Sequence, residues 1–151
     1  MAAFFAIINS VPDPVTGIGL AVQFNPGPLI GTPLTVAPYD AGNLAQHVSW
    51  LLNPGVPLPG ATTVVPQLAA GDQAIALGAL VVAAVAGAPY LWTLNVPGPL
   101  AGVTIQEFNP EARVWGLVEP TPDAPVSFTD LAPPEAGNQL QRWILLPVPG
   151  P

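Results

Sequence analysis

The sequence predicts an all-β fold built from three copies of one four-strand unit, and three observations carry that expectation. First, Trp50-Leu51-Leu52-Asn53-Pro54-Gly55-Val56-Pro57 recurs as Trp92-Thr93-Leu94-Asn95-Val96-Pro97-Gly98-Pro99 and again as Trp143-Ile144-Leu145-Leu146-Pro147-Val148-Pro149-Gly150. Each is a Trp that opens a short apolar strand and runs into a Pro/Gly turn. The separations are 42 and 51 residues (92 − 50 and 143 − 92), the period of a supersecondary unit. Second, 22 prolines and 15 glycines punctuate a chain that is 50% hydrophobic, which reads as short strands and turns rather than as disorder. Third, no stretch shows a sustained 3.6-residue period free of Pro or Gly. Four short strands cannot bury their own face, so three copies must share one core and close into a barrel-like body. At 151 residues the length predicts a single domain, with copies at about 1–55, 56–99 and 100–151.

The elements follow in order. In the first copy Phe4-Phe5-Ala6-Ile7-Ile8-Asn9 is an apolar strand, and Val11-Pro12-Asp13-Pro14 is a turn or extended loop because each Pro fixes φ and removes a donor. Gly19 to Phe24 is a second strand, broken by Asn25-Pro26-Gly27-Pro28. Pro33-Leu34-Thr35-Val36-Ala37 alternates with period two, as a half-buried strand does. A polar loop from Tyr39 to Asn43 leads into the Trp50 strand. The second copy reads Thr62 to Val65, Gln73 to Leu77, Leu80 to Val85 and Tyr90 to Leu94, with the shortest and least polar loops. The third reads Val103 to Gln106, Arg113 to Val118, Pro125 to Phe128 and Gln141 to Leu145. That makes about twelve strands.

Charge excludes several functions. The chain has no Cys and no Lys; Arg113 and Arg142 are its only Lys or Arg residues, against nine acids, for a formal net charge of −7. A nucleic-acid binder needs cations to displace counterions from phosphates. The absence of Cys removes disulfides and thiolate chemistry and, with no basic n-region before the apolar Met1 to Ile8, points to the cytoplasm. Ala74 to Ala88 is an unbroken apolar run, shorter than the ~20 residues of a membrane span. It reads as core strands, or as core strands whose outer face forms a homodimer contact.

The stretch Gly31-Thr32-Pro33-Leu34-Thr35-Val36, then Asp40-Ala41-Gly42-Asn43, then Gln46 and Trp50, resembles one repeat of the ricin-B-like lectins of fungi, as does Gln141-Arg142-Trp143 with Ala136-Gly137-Asn138-Gln139 before it. With Ile7-Ile8-Asn9 and Gly19-Leu20-Ala21 the likeness covers essentially the whole chain, and it implies a β-trefoil. In that family a sugar site uses an Asp just after the second strand, an aromatic platform at the end of the third, and an Asn or Gln before the Trp. Carried over, the first copy offers Gln23 in place of the Asp, Ala37 where the aromatic would lie with Tyr39 close by, and Asp40, Asn43 and Gln46 in the loop. The third offers Glu119, then Thr129 and Asp130, then Asn138 and Gln141. The second has Tyr90 in place of the Gln and is expected to bind nothing. The implied function is weak, multivalent glycan binding of the galactose or N-acetylgalactosamine type. Pro33-Leu34-Thr35-Val36-Ala37-Pro38 and Arg142-Trp143-Ile144-Leu145 also resemble mushroom trefoil protease inhibitors of the clitocypin and macrocypin kind, which implies a loop-inserting inhibitor, of cysteine proteases rather than trypsin-like ones, as the alternative.

Nothing in the pattern points to catalysis or to a cofactor. One His and no Cys give no zinc set. His47 with Asp40 and Ser49 offers proximity without an activated nucleophile. Pairs such as Glu107 with Glu111, or Glu119 with Asp123, would need a sugar-sized cleft between them to act as a glycosidase. No phosphate-cradling glycine loop occurs.

Overall fold

Pro and Gly cut the chain into short strands. The computed structural model describes residues 3–12, 19–24, 32–38, 48–53, 60–67, 71–85, 89–95, 102–107, 113–130 and 139–148. The first copy supplies β1 (Ala3–Pro12), β2 (Gly19–Gln23), β3 (Thr32–Pro33), β4 (Thr35–Pro38) and β5 (Trp50–Asn53). The second supplies β6 (Gly60–Pro66), β7 (Asp72–Leu77), β8 (Leu80–Val85) and β9 (Trp92–Asn95). The third supplies β10 (Thr104–Glu107), β11 (Arg113–Gly116), β12 (Ser127–Asp130) and β13 (Trp143–Pro147). Only Leu34 separates β3 from β4, so each copy has four strands in effect. The described residues form no α-helix, only a 3-10 turn at Gln139–Gln141.

β1 corrects the sequence reading at its end. Val11 and Pro12 continue the strand, and Pro12 pairs with Gly19 across a register shift that begins after Ile8. The Val11 N–H turns to the Asn9 side chain, donating to Oδ1 at 3.1 Å, as happens where a bulge leaves a donor off the ladder. Gly19 is required there, because a Cβ at this position would lie 1.7 Å from the Asn9 carbonyl oxygen.

Six strands close a barrel in the order β1, β5, β6, β9, β10, β13 and back to β1. The repeat Trp residues set its register. Within its own copy each Trp pairs with a residue of the first strand, Trp50 with Phe5, Trp92 with Thr62 and Trp143 with Val103. Across to the next copy Trp50 pairs with Pro66, Trp92 with Glu107 and Trp143 with Asn9. The offset is four residues each time (66 − 62, 107 − 103 and 9 − 5).

The remaining strands form three hairpins, β2 with β4, β7 with β8 and β11 with β12, which cap one end. Where they meet, the Leu34 N–H donates to the Val81 carbonyl (2.9 Å), Val81 to Val126 (3.1 Å) and Val126 back to Leu34 (2.9 Å). This ring of backbone bonds is a pseudo-threefold axis, and all three residues are fully buried. Twelve strands in three hairpin-capped copies around such an axis are a β-trefoil.

The core fills the space between barrel and cap. Trp50, Trp92, Trp115 and Trp143 are all 0% exposed. Trp115 meets Trp92 and Trp143 edge-on at centroid distances of 5.3 and 6.5 Å, the arrangement the ring quadrupole favours. Of the apolar run in the second copy, Val81 to Ala84 are buried residue after residue, so both faces of β8 are covered. Leu77, at the turn, is 59% exposed.

Candidate functional site

The indole N–H groups align the copies residue by residue. Trp50 Nε1 donates to the Val22 carbonyl, Trp92 Nε1 to that of Ala74 and Trp143 Nε1 to that of Trp115, at 2.9, 2.9 and 3.1 Å. Val22, Ala74 and Trp115 are therefore equivalent, and the next residues are Gln23, Ile75 and Gly116. Opposite them across the hairpins stand Thr35, Val82 and Ser127. Two residues on, Ala37, Ala84 and Thr129 are equivalent, in agreement with the ring of bonds at Leu34, Val81 and Val126.

In the first copy the residue after the indole-bonded carbonyl is Gln23, which the sequence resemblance sets against the acid of an R-type site. β2 holds it half-buried at its C-terminal end, and its Nε2 donates to Thr35 Oγ1 at 3.1 Å. Among the described residues its Oε1 accepts nothing, which leaves an acceptor fixed in direction by the neighbouring hydroxyl. Ala37, which the resemblance sets where an aromatic platform would lie, is only 7% exposed. Tyr39, Asp40, Asn43 and Gln46 lie outside the described residues.

In the third copy the register departs from the sequence alignment. Gly116, not Glu119, occupies the position of Gln23, because the Trp143 bond ends on Trp115. Glu119 lies three residues further, exposed on the loop from β11 to β12. There it lines an open, mainly apolar pocket of about 230 Å3 with Val118, Thr121, Ala124 and Pro125. Asp130 ends β12, paired with Arg113 in the ladder. Asn138 lies outside the described residues. Gln141 corrects another expectation: it is 2% exposed in the 3-10 turn packed on β1, so its amide serves the interior and is out of reach of a sugar.

The second copy has Ile75 and Ala84 at the positions equivalent to Gln23 and Ala37. Its Tyr90 packs on Trp92 at 5.3 Å, and the Tyr90 backbone N–H is bound by Gln73 Oε1 at 2.9 Å. The stretch from that carbonyl to the Trp, hairpin turn and following loop together, is correspondingly short: 18 residues here against 28 in the other two copies.

The two arginines are placed differently. Arg113 forms two hydrogen bonds with the Glu107 carboxylate, at 2.7 and 2.8 Å, donates to the Gly78 carbonyl at 3.0 Å and lies 4.4 Å over the Phe128 ring. The hydrogen bond from Arg113 holds the Glu107 carboxyl below the usual carboxylate range and raises the Arg113 guanidinium. Arg142 is 0% exposed, and its Nε, Nη1 and Nη2 have no hydrogen-bond partner among the described residues. Burial holds its guanidinium below the ordinary arginine range. Ser49, the nucleophile of the one triad the sequence could offer, is 2% exposed, and His47 and Asp40 fall outside the described residues. Of the Pro-rich stretch after β1, everything from Asp13 to Pro14 also lies outside them.

No protein-family model and no curated protein matches the sequence. Solved structures do match the fold. A mosquitocidal holotoxin shares it with a TM-score of 0.77 at 9% identity over 99% of this chain, which spans only 18% of the toxin chain. A designed 3-fold symmetric protein, ThreeFoil, matches at 0.71 and 17% identity, covering 96% of this chain and 99% of its own. The C-half of the earthworm R-type lectin, solved in complex with GalNAc, matches at 0.65 and 13% identity, covering 97% and 99%. At these identities the likeness establishes the trefoil and nothing finer.

Proposed function

We propose that the protein is a non-enzymatic glycan-binding lectin that recognises galactose or N-acetylgalactosamine through its first and third copies. The observation that carries this reading is Gln23. The sequence resemblance sets it at the acid position of an R-type sugar site, and it is half-buried, with its amide nitrogen fixed on Thr35 and its oxygen turned to no described donor. The trefoil shared with an earthworm lectin solved with GalNAc supports the same class. Tyr39, Asp40, Asn43 and Gln46 follow in the first copy, and Asp130 and Asn138 in the third, as the polar and aromatic groups for sugar hydroxyls and ring faces. A neutral amide accepts a weaker bond than a carboxylate, so each site binds weakly, on the order of millimolar, ~4 kcal/mol.

Multivalency compensates for weak sites. It is supplied here by the two copies, and by a homodimer through the second copy, whose hairpin exposes Leu77 at 59%. A glycan array run on the wild type beside Asn43→Ala and Asn138→Ala tests the proposal. Galactose-terminated hits lost in either variant support it, whereas a blank array on folded protein removes it. Sedimentation of the wild type against Leu77→Asp tests the dimer.

A further inference from the structure

The loop from β11 to β12 has features that sugar binding does not use. Leu117 roots it in the core at 2% exposure, and the next residue, Val118, is 77% exposed. An aliphatic side chain held so far into solvent lines one wall of the pocket shared with Ala124 and Pro125. At about 230 Å3 the pocket is smaller than the ~300–1,000 Å3 of ordinary small-molecule sites and mainly apolar, so it suits one apolar side chain rather than a saccharide.

The loop is pre-organised. Pro120, Pro122 and Pro125 fix φ at three of its positions. The Thr121 N–H donates to the Glu119 carbonyl at 3.0 Å, and the Ala124 N–H closes a turn on the Thr121 carbonyl at 3.2 Å. Two further bonds pin the turn to the first copy, from Asp123 N–H to the Val36 carbonyl at 2.7 Å and from Val36 N–H to the Ala124 carbonyl at 3.1 Å. Between them Asp123 is held at φ 68°, the left-handed region that few residues other than Gly, Asn and Asp adopt. A surface loop fixed in this way loses little entropy when it docks.

Charge selects the partner. Glu119 and Asp123 are both exposed on this loop. The chain has no Lys, Arg142 is fully buried, and Arg113 is occupied by Glu107, Gly78 and Phe128. A second copy, at a net charge of −7, would meet the loop with like charge. We propose that the Val118–Pro125 loop docks a cationic polypeptide segment, one large apolar side chain entering the pocket and flanking Lys or Arg residues pairing with Glu119 and Asp123. This surface is independent of the glycan reading.

The test is an amide-resolved NMR titration with two synthetic peptides that share a central Leu-Phe-Leu, one with flanking Lys and the other with flanking Glu. The expected result is saturable shifts of the Val118, Glu119, Thr121, Asp123 and Ala124 amides with the basic peptide only. Binding should weaken as ionic strength rises from about 0.05 to about 0.5 M. In the doubly neutral variant (Glu119→Gln with Asp123→Asn) affinity should fall about fivefold, as two exposed pairs imply. Val118→Ser, which removes an exposed methyl wall without touching the core, should weaken binding while keeping the salt dependence. Equal shifts with both peptides, shifts confined to other surfaces, or unchanged affinity in the neutral variant would overturn the proposal. So would displacement of the peptide by N-acetylgalactosamine, which would make the loop part of a sugar site.

Discussion

The second and third copies share one backbone frame and use it differently. Their barrel strands pair in the same register, and both send an indole N–H to the same carbonyl of the cap hairpin. Yet the second hairpin closes on the two-residue turn Gly78-Ala79, with Gly78 at φ 62°, whereas the third carries an exposed proline-ribbed loop between its strands. In the interior the contrast reverses. The third copy places Trp115 and Arg142 where the second has Ala74 and Leu91. The trefoil is thus specified by backbone bonds around the axis and by one Trp per copy. The loops between those fixed points vary in length and composition, and that variation is where binding can reside.

Moving second-copy residues into the third sharpens this contrast. Trp115→Ala, which installs the Ala74 equivalent, removes the ring that meets both Trp92 and Trp143 edge-on. We predict a loss of about 3–5 kcal/mol, because only the second copy is packed around a small residue there. Urea unfolding measures it, and a cost under about 1 kcal/mol would mean that the copies are interchangeable at this position.

Arg142→Leu, which installs the Leu91 equivalent, has the opposite sign. A buried guanidinium with no described hydrogen-bond partner has lost its hydration without recovering it, and an apolar residue of similar bulk should stabilise by about 1–2 kcal/mol. A lower urea midpoint in this variant would show that Arg142 is paired in the folded protein.

The smallest effect concerns the ion pair that ties the third copy to the second through Gly78. Arg113 is 39% exposed, so solvent screens the pair, and Glu107→Gln should cost about 0.5–1 kcal/mol at neutral pH. Because the folded-state pKa of Glu107 is lowered, its contribution is complete above the ordinary glutamate pKa of ~4.3 and is lost as pH falls through the folded value. Wild type and Glu107→Gln should therefore converge in stability in acid and separate as pH rises toward neutrality. A gap that stays constant from acid to neutral would assign the loss to packing.

The trefoil was legible because its frame is written in residues that announce themselves. Three Trp residues mark the barrel register, and Pro and Gly mark the strand ends. What was not legible depends on loop length and on burial. Glu119 aligns with Gln23 only if the strands before them are counted alike, and the bond from Trp143 to Trp115 is what moves the equivalence to Gly116. Val11 and Pro12 read as a turn because a bulge that lets a Pro end a strand leaves no mark in the sequence. Gln141 read as a loop ligand because a polar side chain does not show that a 3-10 turn against β1 will bury it. The fourth Trp carried the signal that could have found the third-copy core, standing as it does outside the repeat of the other three.

The proposed lectin has sugar sites in its two long copies and none in the short one. A titration of the labelled protein with N-acetylgalactosamine, read at the backbone amides, tests it most directly. Shifts at millimolar sugar are expected at Gln23, Thr35 and their neighbours in the first copy, and in the third, with Ile75, Val82 and Ala84 of the second unmoved. Shifts centred on the second copy, or none at saturating sugar on folded protein, would contradict it.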